Sequence, residues 1–205
     1  MRFKLFLLQL LLCLTFVARS QNIDVKMLNF INPNSNNENK GWAFLSNHAI
    51  IVSAATPLAM LAAGFITKDD LLKRNAITAT AALLTNTLVT DRIKDYVQRQ
   101  RPYLTWNNKI YLEGHTSGYS FPSGHTSTTF NVATSLSLSF PKWYVIAPAY
   151  TFAAATAYSR MYRGAHYPSD VLGGMIVGAG TSFLSYKLQK MFYRHRYNHT
   201  VHTGF

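Results

Sequence analysis

One long stretch without charge limits what this chain can fold into. Residues Ala43 to Thr67 contain no Asp, Glu, Lys or Arg over 25 positions. A span of the bilayer core needs about 20 helical residues, and this stretch exceeds that length. The stretch therefore belongs either in a lipid bilayer or in the buried interior of a helical bundle.

Four further apolar stretches are rich in Ala, Ser, Thr and Gly, which allow helices to pack closely in a membrane. Only 14% of the residues are charged, against about 25% in soluble domains. We therefore predict an all-α fold, a transmembrane bundle of five helices plus an N-terminal signal-like helix. The mean hydropathy of +0.01 leaves a soluble helical bundle as the alternative. The four stretches are Asn75–Thr90, Thr126–Phe140, Trp143–Tyr158 and Val171–Leu188.

The N-terminus has the order of a targeting segment. Arg2 and Lys4 precede an apolar run, Leu5–Val17, and small residues follow. We expect residues 1–20 to be a cleaved signal peptide, with an uncleaved first transmembrane helix as the alternative. Cys13 is the only cysteine, which excludes a disulfide within the chain and a cysteine metal cluster. The other expected segments are a polar linker at 21–42, the helical domain at 43–190 and a basic tail at 191–205.

The net charge of +12 favours a nucleic acid, a membrane surface or an anionic substrate as partner. No pattern typical of nucleic-acid recognition is visible, so no nucleic-acid partner is expected. If Ala43–Thr67 crosses inward, the cations of Lys68–Arg74 and of the tail lie inside, as the positive-inside rule requires. Cations of the two outer segments break that rule and need another role: Arg92, Lys94, Arg99, Arg101, Lys109, Arg160 and Arg163.

Three motifs lie at helix ends on one side of this topology. The first carries Lys94 and Arg101, and the helix is expected to run on until the Arg101-Pro102 step stops it. Seven positions then place the two cations on one helix face. Arg160, in the third motif, adds a further guanidinium. Together the three cations predict a site for a tetrahedral oxyanion, whereas each alone is more typical of a solvated surface.

The second and third motifs add groups suited to phosphate chemistry. Residues Ser123, Gly124 and His125 open a helix, whose N-terminal N–H groups attract anions. The alternative there is a capped helix start with a surface histidine. His166 and Asp170 are four positions apart, within hydrogen-bond reach if both are helical. A carboxylate on one imidazole nitrogen leaves the other nitrogen free to attack.

The order and spacing of these motifs resemble the three-part signature of the type 2 phosphatidic acid phosphatase superfamily. That superfamily also includes bacterial non-specific acid phosphatases and vanadium haloperoxidases. Its pattern is Lys, six residues, Arg-Pro; then Pro-Ser-Gly-His; then Ser-Arg, five residues, His, three residues, Asp. The chain matches every position, and the resemblance covers about residues 75–188. It implies a helical bundle with the site at one end.

The resemblance also implies a role for each matched residue. His166 would be the nucleophile that forms a phosphohistidine, oriented by Asp170. His125 would be the general acid that protonates the leaving oxygen. The family needs no metal or other cofactor for this reaction. The residues that would hold the phosphate are Lys94, Arg101, Ser123, Gly124 through its amide, and Arg160.

We therefore expect a membrane enzyme, with its site facing the periplasm or cell exterior, that hydrolyses a lipid phosphate or diphosphate. Candidate substrates are undecaprenyl diphosphate, phosphatidic acid, phosphatidylglycerol phosphate and lipid A phosphate. The loop Tyr103–Tyr119 is expected to contribute to the choice of headgroup. A soluble exported acid phosphatase is the alternative, and a vanadium haloperoxidase a remote one, because those chains are generally much longer. A non-enzymatic phosphate-binding protein leaves the His166–Asp170 pair unexplained.

Overall fold

A computed structural model describes residues 23–33 and 38–202, with side chains described up to Tyr193. Over these residues the regular secondary structure is α-helical throughout, which confirms the predicted all-α class. The expected signal segment, residues 1–20, lies outside the described residues. The helices are α1 (residues 23–31), α2 (Lys40–Ile66), α3 (Asp70–Val97), α4 (Pro102–Thr105), α5 (Gly124–Ser139), α6 (Trp143–Tyr162) and α7 (Pro168–His202).

Two of the described helices are long and apolar enough to cross a membrane. They are α2, which contains the charge-free stretch, and α7 over Pro168–Tyr193. α5 has only 16 residues, and α3 and α6 do not meet the same criteria of length and composition. Among the described residues five helices have 16 or more residues, but length and composition mark only two of them as candidate spans.

Local sequence explains where α2 and α3 begin and where α3 ends. The Asn39 side chain accepts hydrogen bonds from the first backbone N–H groups of α2, and Asp69 does the same for α3, as N-cap residues do. α3 ends at Val97 because Gln98 takes a left-handed conformation with φ of 51°. The prediction that this helix continues to Arg101 is therefore wrong.

Part of the stretch expected to be a polar linker is helical. Residues 23–31 form α1, which buries Val25 and Leu28 against Ile110 and Tyr167. Asn32 then joins this segment to two others, since its Nδ2 donates to the carbonyl oxygens of residues 111 and 162 at 2.9 and 2.7 Å. α1 is thus an integral part of one end of the bundle.

α5 lies at the centre of the bundle and contacts α2, α3, α6 and α7. It runs parallel to α7, because Ser135 pairs with Ser182 and Ser139 with Tyr186 in the same order along both helices. α2, α5 and α7 begin at the end where α3 and α6 finish. All three motifs lie at this end, in the ends of the helices and in the loops that join them.

The bundle buries small polar side chains and exposes large apolar ones. Asn86, Ser127 and Asn131 are almost fully buried and hydrogen-bonded between helices; Ser127 Oγ, for example, donates to Asn86 Oδ1 at 2.5 Å. This distribution suits an apolar solvent, in which interhelical hydrogen bonds replace the hydrophobic effect. Large apolar side chains that are more than half exposed include Phe44, Ile51, Leu58, Phe65, Leu84, Leu88, Ile176 and Phe183.

The contact between α5 and α7 generates a prediction about stability. A Cβ atom on Gly178 would lie 2.1 Å from the backbone oxygen of Ser127, whereas one on Gly180 would meet no atom within 4 Å. Gly178→Ala should therefore force the two helices apart and lower the free energy of unfolding by about 1–3 kcal/mol. The matched control, Gly180→Ala, should change it by less than about 1 kcal/mol, in the stabilising direction. Unfolding in detergent checks this, and equal effects of the two variants contradict it.

Candidate active site

The three motifs meet at one end of the bundle. The first lies at the end of α3 and in the loop that follows it, the second at the start of α5, and the third at the connection from α6 to α7. The backbone N–H of Ser123 donates to the backbone oxygen of Asp170 at 2.9 Å. This bond fixes the second motif directly against the third.

His166 lies in the connection before α7 and is 2% exposed. Its Nδ1 is 2.8 Å from the backbone oxygen of Ser120 but 3.7 Å from Asp170 Oδ2. A carbonyl oxygen only accepts hydrogen bonds, so Nδ1 carries the proton and Nε2 keeps its lone pair. The direct hydrogen bond expected between His166 and Asp170 is therefore absent, because residue 166 is not helical and the four-residue spacing does not set the geometry.

Burial governs the charge state of His166. Burial, joined by the positive charges of Arg160 and Arg101, lowers the pKa of the imidazole to about 3, although Asp170 acts in the opposite direction. The ring is consequently neutral at neutral pH. A neutral ring with its proton on Nδ1 presents an unprotonated Nε2, which is the form a nucleophile requires.

Asp170 is fully buried and reaches His166 through Ser120. Its Oδ2 accepts hydrogen bonds from Ser120 Oγ at 2.5 Å and from the backbone N–H of Tyr167 at 2.9 Å. Its Oδ1 accepts one from Arg99 Nη1 at 2.7 Å. Ser120 is therefore held by its side chain on Asp170 while its carbonyl holds His166. The carboxylate and the imidazole are thus linked by hydrogen bonds through this intermediate residue.

Two of the predicted phosphate-binding cations also contact the loop that crosses this end. Lys94 Nζ donates to the backbone oxygen of Tyr119 at 2.6 Å. Arg101 donates to the backbone oxygens of Ser117 and Gly118 at 2.6 and 2.9 Å, and its Nη1 lies 3.3 Å from His166 Nε2. The loop thus brings the two cations together, a task that sequence analysis assigned to a continuous helix.

The third predicted cation, Arg160, is 5% exposed and donates from Nη1 to Ser46 Oγ at 2.6 Å. Its Nε–H is buried and has no hydrogen-bond partner among the described residues. A buried donor left unpaired costs about 1–3 kcal/mol. Arg160 is therefore held in place by α2 while one of its donors remains for an acceptor such as a phosphate oxygen.

The start of α5 has the features predicted for an anion site. Ser123 is fully buried, and its Oγ accepts a hydrogen bond from Thr126, which leaves its own O–H to be donated elsewhere. A Cβ on Gly124 would meet no atom within 4 Å, so the first turn of the helix borders open space. His125 lies in the first turn of α5 and is half-buried.

Sequence analysis missed three residues of this site: Arg99, Ser120 and Asp24. Arg99 binds Asp170 and also Asp24 of α1, with 2.8 Å between Nη2 and Oδ2. The sequence did contain one indication of a role for Arg99: it breaks the positive-inside rule and so needs a partner other than water. Ser120 contributes its backbone carbonyl to the site, and because every residue has such a group, no sequence pattern could have identified it.

Comparison with known proteins agrees with the three motifs. A family model described as the PAP2 superfamily matches residues 75–194. Undecaprenyl-diphosphatase from Sulfolobus acidocaldarius is 37% identical over 103 residues, which are 50% of this chain and 50% of that protein. Undecaprenyl-diphosphatase BcrC from Bacillus subtilis is 30% identical over 148 residues, which are 72% of this chain and 73% of that protein.

The fold also has a solved counterpart. The structure of a transmembrane PAP2-type phosphatidylglycerolphosphate phosphatase from Bacillus subtilis superposes with a TM-score of 0.63 at 22% identity, covering 92% of this chain and 95% of that one. This likeness concerns the fold. The family match, in contrast, spans more than half of the sequence and includes every motif residue. The chain therefore belongs to the PAP2 superfamily.

Proposed function

We propose that this protein is a membrane phosphohydrolase that cleaves a phosphate monoester or diphosphate of a lipid through a phosphohistidine intermediate on His166. One observation carries the proposal: the buried imidazole has Nδ1 bound to a backbone carbonyl and Nε2 at 3.3 Å from the Arg101 guanidinium. An unprotonated nitrogen thus lies beside a group whose planar fork suits phosphate oxygens.

In the proposed first step, Nε2 of His166 bonds to phosphorus and the bond from phosphorus to the leaving oxygen breaks. His125 gives its proton to that oxygen. In the second step His125 takes a proton from water, whose oxygen attacks phosphorus, and the bond between phosphorus and Nε2 breaks. Phosphate is released and the imidazole is restored. A bound phosphate supplies the negative charge that favours protonated His125 among the neighbouring cations.

The cations supply the charge stabilisation in this proposal. Arg101 and Arg160 are buried and fixed by hydrogen bonds, and Lys94 is half-buried beside them. Donors that are already in place stabilise the charge on the transferring phosphoryl group without further rearrangement. We therefore infer that the reaction needs no metal ion, since side chains provide the positive charge.

The distribution of charge supports a membrane orientation with the site outside. Of the cations that break the positive-inside rule, five are buried or half-buried at the site end, namely Lys94, Arg99, Arg101, Arg160 and Arg163, which leaves Arg92 and Lys109 exposed there. The opposite end carries four exposed cations, Lys68, Lys142, Lys187 and Lys190, and two that are half-buried, Lys73 and Arg74. The rule then assigns the opposite end to the cytoplasm.

The two undecaprenyl-diphosphatases among the relatives support a lipid diphosphate as the substrate to be assayed first. The proposed site suits such a substrate, because its nucleophile and cations lie at one end of a bundle whose sides are apolar. A phosphate headgroup can enter at that end while the lipid chain stays beside the helices. Relative rates of phosphate release from the candidate lipids measure which headgroup the enzyme prefers.

The membrane assignment predicts how the protein fractionates. It should stay with membranes after washing with high salt and then with carbonate, because apolar side chains cover the bundle surface and not only one edge. Immunoblotting of the pellet and supernatant measures this. Recovery in the supernatant supports the soluble acid phosphatase instead.

Metal independence predicts the response to two reagents. Hydrolysis of undecaprenyl diphosphate should persist in excess chelator, because the cations are side chains, and should be inhibited by vanadate, which resembles the trigonal phosphoryl group in transfer. Phosphate release measures both effects. Activity that disappears in chelator and returns with a divalent metal contradicts the proposed site.

The two histidines should differ in their dependence on the leaving group. His166→Ala should abolish turnover of every substrate, because the phosphoryl acceptor is gone. His125→Ala should lose activity on the order of 10²–10⁴-fold on an alkyl phosphate, and less on an activated aryl phosphate whose oxygen leaves without a proton. Steady-state rates on both substrates test this. A phosphoenzyme trapped in His166→Ala, or equal losses on both substrates in His125→Ala, shows that the roles are wrong.

A further inference from the structure

Arg99 lies between two buried carboxylates that belong to distant parts of the chain. Its Nη1 is 2.7 Å from Asp170 Oδ1, and its Nη2 is 2.8 Å from Asp24 Oδ2. The guanidinium also stacks on the Tyr167 ring, with 4.0 Å between its carbon and the ring centroid. Although burial lowers it, the pKa of Arg99 is raised by the charge of Asp170 and the contacts with Asp24. The guanidinium is therefore fixed on three sides.

α1 supplies the far side of this arrangement. Asp24 accepts a hydrogen bond from the backbone N–H of Ser169 at 3.0 Å and another from the Ser169 hydroxyl. It thus holds the first turn of α7 as well as Arg99. Val25 and Leu28 anchor the same helix in the apolar cluster beneath the site. Asp24 is therefore buried and held by hydrogen bonds to both Arg99 and Ser169.

The contacts determine which oxygen of Asp170 faces which partner. Arg99 occupies Oδ1, and Ser120 Oγ and the Tyr167 N–H occupy Oδ2. Without Arg99 only the bonds to Oδ2 hold the carboxylate, so its orientation is less fixed, and with it the acceptor that holds Ser120 and its carbonyl against His166. Arg99 also separates the negative charges of Asp24 and Asp170, which would otherwise repel each other in a poorly solvated region.

We propose that Arg99 is a positioning residue for phosphoryl transfer, locked by Asp24, so that α1 forms part of the active site. The effect passes from Arg99 to Asp170, then to Ser120 and then to the His166 imidazole. Arg99 does not touch the substrate in this account. The inference rests on the proposed phosphohistidine reaction, and it adds a residue at a position that the first motif leaves unspecified, together with one from α1.

The test measures the rate constant of phosphoenzyme formation in single turnovers of detergent-purified enzyme on undecaprenyl diphosphate. This rate constant does not depend on the fraction of protein that is folded. Arg99→Ala should lower it on the order of 10–100-fold, the usual effect of losing a partner that orients a reacting group. The steady-state KM should stay near the wild-type value. Asp24→Asn should act in the same direction, and Arg99→Lys should fall between Arg99→Ala and wild type.

Chemical rescue of Arg99→Ala distinguishes a positioning role of Arg99 from a role in stabilising the fold. Guanidinium ion added to folded Arg99→Ala should restore part of the rate, because the two carboxylates still flank a site of its size. The same ion should not rescue His166→Ala. Lys26→Gln on α1 and Arg92→Gln on α3 are matched controls, since both remove exposed cations, and both should keep the wild-type rate constant.

Each of three outcomes overturns the inference. They are a wild-type rate constant in Arg99→Ala, a wild-type rate constant in Asp24→Asn, and no rescue of Arg99→Ala by guanidinium ion. If Arg99→Ala does not fold, Arg99→Lys and Asp24→Asn provide the same comparison, and wild-type rate constants in both reject the role. Failure of the proposed function looks different, because wild type then forms no phosphoenzyme or His166→Ala retains activity.

Discussion

The close approach of α5 and α7 is the contact on which the rest of the site depends. Gly174 and Gly178 bring the backbone of α7 against that of α5, where a Cβ would lie 2.7 and 2.1 Å from backbone oxygens. At the end of this contact, the N–H of Ser123 bonds to the backbone oxygen of Asp170. The start of α5, proposed to bind the anion, and the segment that carries the proposed nucleophile are thereby joined through main-chain atoms, whose positions side-chain motion does not alter.

The same contact explains the unusual interior. Helices this close leave room only for small side chains, and Ser, Thr and Asn fill that space while hydrogen-bonding to the neighbouring helix. Asn131 is an example, since its Nδ2 reaches backbone oxygens of both α3 and α7. In lipid such bonds have no competition from water, so modest polar contacts can specify how the helices align. Buried polar side chains thus specify how the helices align, and apolar side chains on the outer surface contact the lipid.

Sequence analysis predicted the helical class and brought the motif residues to one end, because periodicity, charge and motif spacing are local signals. It did not predict how those residues touch. α3 ends where Gln98 takes a left-handed conformation, and glutamine at a position does not predict that conformation. The partner of the imidazole is a backbone carbonyl, and Arg99 pairs with Asp24 across 75 positions. Such contacts depend on tertiary packing, so residues 23–31 were read as part of a linker.

The hydrogen bonds from Lys94 and Arg101 to the loop affect how far the loop sequence can vary within this enzyme family. Both cations bind the loop through the carbonyl groups of residues 117–119, while the side chains there are exposed. Replacing the side chain of Ser117 or Tyr119 leaves those carbonyls in place, whereas position 118, with a φ of 68°, requires glycine. The outward surface of the loop can therefore vary between lineages while the charged end beneath it stays constant. Substitutions on the outer face of this loop can therefore accumulate without moving Lys94 or Arg101.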